Sequence, residues 1–147
     1  MIRLSSSSSF SYVIDANAGV ALARMHGTIT GGDMHRIAEI VHDDPEWKRS
    51  FDAIWDCTRV TSHVVAPGEV SPIIDEVTDG QTGTDVLVEN AGLAESLLSM
   101  LLTLRARVTG SEAHVCETVA EALHVLGHNA MPPGLDLEDA DSAESVG

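Results

Sequence analysis

Apolar positions along the chain change their spacing in a regular order, which predicts strands that alternate with helices. Apolar and polar residues alternate at 10–15 and again at 20–26, as in half-buried strands, and Asn17-Ala-Gly19 between them has turn chemistry. These two strands are therefore predicted to form a hairpin. Three further strands, the first with an unbroken apolar run that favours cover on both faces, are predicted at 51–57, 85–89 and 112–117.

Four helices are predicted from apolar residues that recur every three or four positions. The segments predicted to be helical are Met34 to Val41, 69–77, 91–108 and Val119 to Leu126. Thr30 stands three residues before Asp33, an arrangement similar to a capping box, and so marks the start of the first helix. Asp44-Pro45 should stop that helix, because proline disfavours helical geometry in the residue before it. Thr118 and Gly127 are expected to begin and end the last helix.

The order of elements, β-β-α-β-α-β-α-β-α, implies a mostly parallel sheet with helices packed on it. We therefore predict an α/β fold with a five-stranded, mostly parallel sheet, an N-terminal antiparallel hairpin strand at its edge, and four helices. The 147 residues fit one domain, which we expect at 10–127. The serine-rich residues 1–9 are predicted to be a flexible tail. The acidic residues 128–147, with few large apolar side chains, are predicted to be disordered.

Composition excludes some classes of function. The formal net charge is -15, from 23 acidic and 8 basic residues, and this field repels nucleic acid and anionic membrane surfaces. No apolar run approaches the ~18 residues of a spanning helix, and the first residues lack the apolar region of a signal peptide, so a cytoplasmic protein is expected. Cys57 and Cys116 are predicted to be reduced core thiols. Cysteine and histidine spacings indicate no metal site, and no cofactor is expected.

The candidate ligand site lies where the third predicted strand meets a loop at 61–68. Ligands of open α/β sheets gather beyond the carboxyl ends of strands. The polar residues expected to line that crevice are Asp56, Arg59, Ser62, His63 and Asn90. One reading is an anion or small polar ligand held by Arg59. The structural reading, which we favour, is that Asp56 caps loop amides and pairs with Arg59.

The longest predicted helix, at 91–108, has an apolar strip opposite its core-facing side. Ala91, Leu98 and Leu102 form this strip. Helices buried on all sides and helices at an interface both show such a second strip. We hypothesise that it meets another subunit or a protein partner. The alternative is that the acidic tail or a neighbouring helix covers it.

Short motifs, in the same order as the predicted elements, resemble a known family. The motifs are Gly27-Thr-Ile-Thr30, Asp44-Pro-Glu-Trp47, Phe51-Asp-Ala-Ile-Trp-Asp56 and Ala120-Glu-Ala-Leu-His-Val-Leu-Gly127. Together they look like the SpoIIAA-like group of STAS/SEC14-type domains, and the likeness covers residues 10–127. STAS domains are similar to anti-sigma-factor antagonists, which bind a partner kinase and are switched by phosphorylation of a serine after the third strand. The corresponding turn here, Val64–Gly68, has no hydroxyl, so the resemblance transfers no phosphorylation site.

The resemblance and the lack of a catalytic motif favour a non-enzymatic, STAS-like regulatory module that works by protein binding, as a homodimer. A second hypothesis is a carrier of a small molecule or lipid, as the SEC14-type side of the resemblance implies, with its pocket between the long helix and the sheet. A third is a small enzyme that uses Asp56 and His63 at the strand ends. A bound ligand would discriminate the carrier from the interaction module.

Overall fold

The computed structural model of this protein describes residues 2–3, 8–64, 68, 83–89 and 113–135. Six strands in this part of the chain form one sheet, and their order in the sheet follows their order in the sequence. They are β1 (Ile2–Arg3), β2 (Ser8–Asp15), β3 (Val20–Thr30), β4 (Asp52–Val64), β5 (Asp85–Val88) and β6 (Ala113–Cys116). Two α-helices, α1 (Gly31–Asp43) and α2 (Val119–Val125), and a short 3-10 helix (Pro133–Leu135) accompany them. The predicted α/β class is confirmed.

The sheet begins antiparallel and continues parallel. β2 pairs antiparallel with both β1 and β3, whereas β3 to β6 pair in parallel. The hairpin strand is therefore not the edge that we expected, because Ile2 pairs with Phe10 and Arg3 with Ser9. Part of the segment predicted to be a flexible tail thus lies in strands, at 2–3 and 8–9.

The helix boundaries within the described residues follow the predicted signals. The Thr30 side chain accepts from the Asp33 backbone N–H, and the Asp33 carboxylate accepts from the Thr30 N–H, so the capping box is complete. Thr118 caps α2 by accepting from the Glu121 N–H at 3.1 Å. Gly127, with φ of +88°, follows that helix in the left-handed region that glycine tolerates. The other two predicted helices, at 69–77 and 91–108, lie outside the described residues.

Two apolar clusters form the core, one on each face of the sheet. Along β4, Ala53 and Trp55 belong to the cluster under α1, whereas Ile54 belongs to the cluster on the other face, near α2. This alternation is the two-residue period of a strand. We refer below to the α1 face and the α2 face of the sheet.

β3 and β4 are longer than the hydrophobic pattern predicted. β3 passes Gly27 and continues to Thr30, and β4 passes Cys57 and continues to Val64, so the expected loop at 61–68 was wrong in its first part. The β3–β4 pairing contains two register shifts, one of them at Gly27, whose φ of +80° suits a bulge. Bulges interrupt the alternation of apolar and polar residues, which is why the pattern was read as ending at the first of them.

The fold also continues past the predicted domain end at Gly127. Leu135 is completely buried in the α2-face cluster, and the Gly134 N–H donates to Asp15 Oδ2 at 3.1 Å. Pro132 and Leu135 are thus buried in the fold, although the composition of 128–135 is that of a tail. Residues 136–147, the rest of the predicted tail, lie outside the described residues.

Candidate functional site

The candidate site lies where β5 and β6 end and the longer strands β3 and β4 continue. β4 pairs with β5 only from Ala53 to Asp56, and β5 pairs with β6 up to Cys116. Beyond this line, β3 and β4 continue together to Thr30 and Val64, with β2 paired to β3 as far as Gly27. Asp56 was predicted to end its strand, and that prediction was wrong for β4 itself. Asp56 nevertheless marks the carboxyl edge of the part of the sheet that β4 shares with β5.

Asp56 is a buried carboxylate with both oxygens engaged. It is 2% exposed. Its Oδ2 accepts from Arg24 Nε at 2.9 Å, and its Oδ1 accepts from the Thr58 N–H at 2.9 Å and the Thr58 hydroxyl at 2.7 Å. Burying a charge is costly unless it is paired and hydrogen-bonded, and these three donors satisfy that requirement. The arrangement holds the bulge of β4 in place and ties it to β3.

The partner of Asp56 is Arg24 rather than Arg59, which corrects the predicted pairing. The parallel register places Arg24 directly opposite Asp56, so the two side chains leave the sheet on the same face. Arg59 follows the bulge, pairs in register with His26, and is exposed. The expected capping of a backbone amide by Asp56 is present, at Thr58 within the strand.

The Arg24–Asp56 pair belongs to a polar patch on the α2 face. Leu22 and Ile54, two residues earlier on β3 and β4, pack in the α2-face cluster, and Val13 of β2 packs against it. The two-residue period of a strand then places the next alternate residues of β2 and β3, and Asp56 of β4, on that same face. After the bulges, the register places Arg59 opposite His26 and Ser62 opposite Thr28, and so on this face too. We define the polar patch by these residues: Ser9, Ser11, Arg24, His26, Asp56, Arg59 and Ser62. Ser9 lies opposite His26, and Ser11 lies opposite Arg24.

The structure brings three of the five predicted ligand residues to this patch. Asp56 is buried within it, and Arg59 and Ser62 lie exposed at its outer end, where Ser62 Oγ is 3.0 Å from Thr28 Oγ1. His63 lies on β4 opposite Ile29, and nothing is described of its side chain. Asn90 lies outside the described residues, as do the predicted interface residues Ala91, Leu98 and Leu102.

The inner residues of the patch, Ser11 and Arg24, were not predicted from the sequence. Both are polar positions of alternating strands, and such positions usually face solvent. The strand register identifies them, because it aligns the hairpin with β4 and so places both side chains on the α2 face. No spacing within one segment carries that information.

The environments of the two buried thiols, Cys57 and Cys116, disfavour a role as reactive nucleophiles. Burial raises the pKa of Cys57 well above its usual value, and the negative charges of Glu89 and Asp56 raise it further. Burial also raises the pKa of Cys116, with a contribution from Glu121. Nucleophilic cysteines need the opposite shift, because the thiolate is the reactive form. Both cysteines are therefore core thiols, and neither forms a disulfide.

The described residues hold neither a cluster of metal ligands nor a membrane-spanning helix. In this part of the chain, histidine, cysteine and carboxylate side chains do not come together in groups of three or more that could hold a metal ion. Among the helices that the structure describes, none has the length and apolarity needed to cross a membrane.

Comparison with known proteins identifies the fold. No model of a known protein family matches the sequence, and no curated protein is similar to it. Among solved structures, the chain is similar to an uncharacterised protein from the DUF3478 family with a SpoIIAA-like fold, from Shewanella loihica PV-4. The TM-score is 0.55 and the sequence identity 11%, over 86% of this chain and 98% of that chain. At the level of its backbone, this protein therefore has a SpoIIAA-like fold, as the motifs in its sequence indicated.

Proposed function

We propose that this protein is a cytoplasmic, non-enzymatic STAS-like regulatory module that acts by binding protein, and that it self-associates as a homodimer. The SpoIIAA-like fold supports the STAS-like part of this proposal. The observation that carries the non-enzymatic part is the state of Asp56, the carboxylate that an enzyme at this sheet edge would use.

A catalytic base needs a lone pair that can reach the proton it removes from the substrate. At Asp56, Arg24 occupies one oxygen and Thr58 supplies two donors to the other. These contacts favour a structural role for Asp56 and weaken the alternative of a small enzyme that uses Asp56 and His63.

The carrier alternative requires a cavity of about 300–1,000 Å³ for a small molecule. A shallow cavity of about 180 Å³ lies beside α2, where Val119, Leu123 and Met131 contribute to its wall. It is smaller than such sites require. The carrier therefore remains the second hypothesis, without support from the cavity beside α2.

Native mass spectrometry of gently purified protein tests the proposal. A dimer of bare chains is the expected result, and extra mass that disappears on denaturation would instead favour the carrier. Leu98→Glu/Leu102→Glu should convert the dimer to a monomer if the predicted strip forms the interface. Val125→Glu on α2 is the control, since it places the same charge on an apolar residue that the structure shows to be exposed. A wild-type protein that stays monomeric at every concentration would contradict self-association.

A further inference from the structure

Two buried donor groups of the polar patch have no hydrogen-bond acceptor among the described residues. They are the hydroxyl of Ser11 and Nη1 of Arg24. Ser11 is 4% exposed, so its hydroxyl has little access to bulk water. Buried polar groups in native proteins nearly always have a partner, and an exception indicates a bound ion, water or ligand.

The two groups belong to directly opposite residues on neighbouring strands. Ser11 and Arg24 are opposite each other in the antiparallel pairing of β2 and β3, and both project from the α2 face. Side chains that are directly opposite in such a pair have their Cβ atoms about 5 Å apart. A single group with two acceptor oxygens can therefore receive a hydrogen bond from each.

The orientation of the Arg24 guanidinium is fixed by a contact that leaves Nη1 available. Nε donates to Asp56 at 2.9 Å, and a planar guanidinium has further donors in fixed directions. Holding the group in place before a ligand arrives reduces the entropy that binding would cost. The charge of Asp56 is offset by Arg24 and by its two hydrogen bonds from Thr58.

The charge along the patch favours an anion. Arg59 lies farther along β4 on the same face, where it is exposed. With Arg24 and Asp56 cancelling each other, Arg59 leaves the patch with a positive charge, although the whole chain carries -15. A local positive region on an acidic protein attracts small anions, which the rest of the surface repels.

We propose that Ser11 and Arg24 form the inner end of a binding site for an oxyanion group, a phosphate or a carboxylate, with Arg59 at its entrance. The site is independent of the proposed protein-binding function, because it requires neither a partner nor a dimer. Arginine is suited to both groups, since its donors match the spacing of two oxygens on one phosphorus or carbon atom.

Titration of the full-length protein with inorganic phosphate, and separately with acetate, tests this site. Sodium chloride keeps the ionic strength constant, so that general screening does not change. The readouts are the thermal midpoint and the chemical shifts of the Arg24 Nε–H and the Ser11 amide. The expected result is a saturable response at these two positions. A response to phosphate alone would identify a phosphate group, and a response to both anions would also admit a carboxylate.

Ser11→Ala is the decisive variant, because it removes one donor and leaves the Arg24–Asp56 pair intact. Loss of a hydrogen bond to a charged ligand should weaken binding about tenfold. Arg59→Gln should weaken it by a smaller factor and make it less sensitive to salt. Arg36→Gln is the matched control, since Arg36 is an exposed arginine of α1, on the opposite face.

Two results would overturn the proposal. One is the absence of a saturable response to either anion in the wild-type protein. The other is a response that Ser11→Ala leaves unchanged, which would assign the anion to another surface. Because Ser11→Ala removes a buried hydroxyl without an acceptor, the variant should be at least as stable as the wild type, so its binding can be measured in a folded protein.

Discussion

The Arg24–Asp56 ion pair is predicted to be one of the most sensitive points of the fold. Removing one partner of a buried pair leaves an uncompensated charge, at a typical cost of about 3–5 kcal/mol. Arg24 retains some access to solvent, at 14% exposure of its side chain, which places the expected loss for Asp56→Ala near the lower end, about 3 kcal/mol. The loss includes the two hydrogen bonds from Thr58.

Urea unfolding at neutral pH, in a double-mutant cycle with Arg24→Met, measures the pair directly. Each single variant should lose about 3 kcal/mol of unfolding free energy. The double variant should lose clearly less than the sum, because neither charge is then left without its partner, and the coupling should be about 2 kcal/mol. Asp43→Asn, at an exposed aspartate of α1, is the control and should change stability by no more than about 0.5 kcal/mol.

A result of additive losses, or of wild-type stability in Asp56→Ala, would refute this reasoning. Asp56 would then not depend on Arg24 for its burial, and its carboxylate would be available for another task. The proposed non-enzymatic role would then lose the observation that supports it. The cycle therefore tests a structural claim and a functional one with the same variants.

Three further predictions concern other contacts. Burial and the hydrogen bond to Asp44 raise the pKa of Tyr12 to about 12 from 10.0. The corresponding stability is complete below pH 10.0 and is lost as the pH rises towards about 12, so Tyr12→Phe should remove this loss from urea unfolding curves at alkaline pH. The backbone N–H of Ala18 lowers the pKa of Asp15, with smaller contributions from other amides. This stability is present above pH 3.8 and is lost as the pH falls through the lowered pKa, so Asp15→Asn should flatten the acid limb of the stability curve followed by circular dichroism. A Cβ at Gly83 would lie 2.2 Å from the carbonyl oxygen of Phe51, so Gly83→Ala should cost about 1–3 kcal/mol in thermal unfolding, whereas Gly68→Ala, with open space around it, should not.

The parts of the fold that the sequence predicted are those specified by neighbouring residues. The capping box at Thr30 and the glycine stop at Gly127 depend on residues within one or two helical turns, and both are present. The hairpin of β2 and β3 follows from alternation and a turn within the same segment. Leu135 was not predicted to be in the core, because one leucine in a polar segment gives no periodic signal. It is nevertheless completely buried.

The candidate site was predicted in part. The sequence placed Asp56, Arg59 and Ser62 near one another, and the structure has them on one face. It did not predict the contact of Asp56 with Arg24, which is 32 residues away, because parallel register arises from the packing of whole strands. It also ended β4 too early, since the bulge after Asp56 breaks the alternation on which the boundary was based.

The hydrogen bond between Asp15 and Gly134 has a consequence for synthesis on the ribosome. It joins residues 119 positions apart, and at roughly 5–20 residues per second the second partner follows the first by about 6–24 s. During that interval the hairpin can form, because Asp15 already accepts from the Asn17 and Ala18 amides of its own turn. The apolar α2 face stays incomplete until Leu135 emerges, so the nascent chain presents a hydrophobic surface to chaperones for most of its translation.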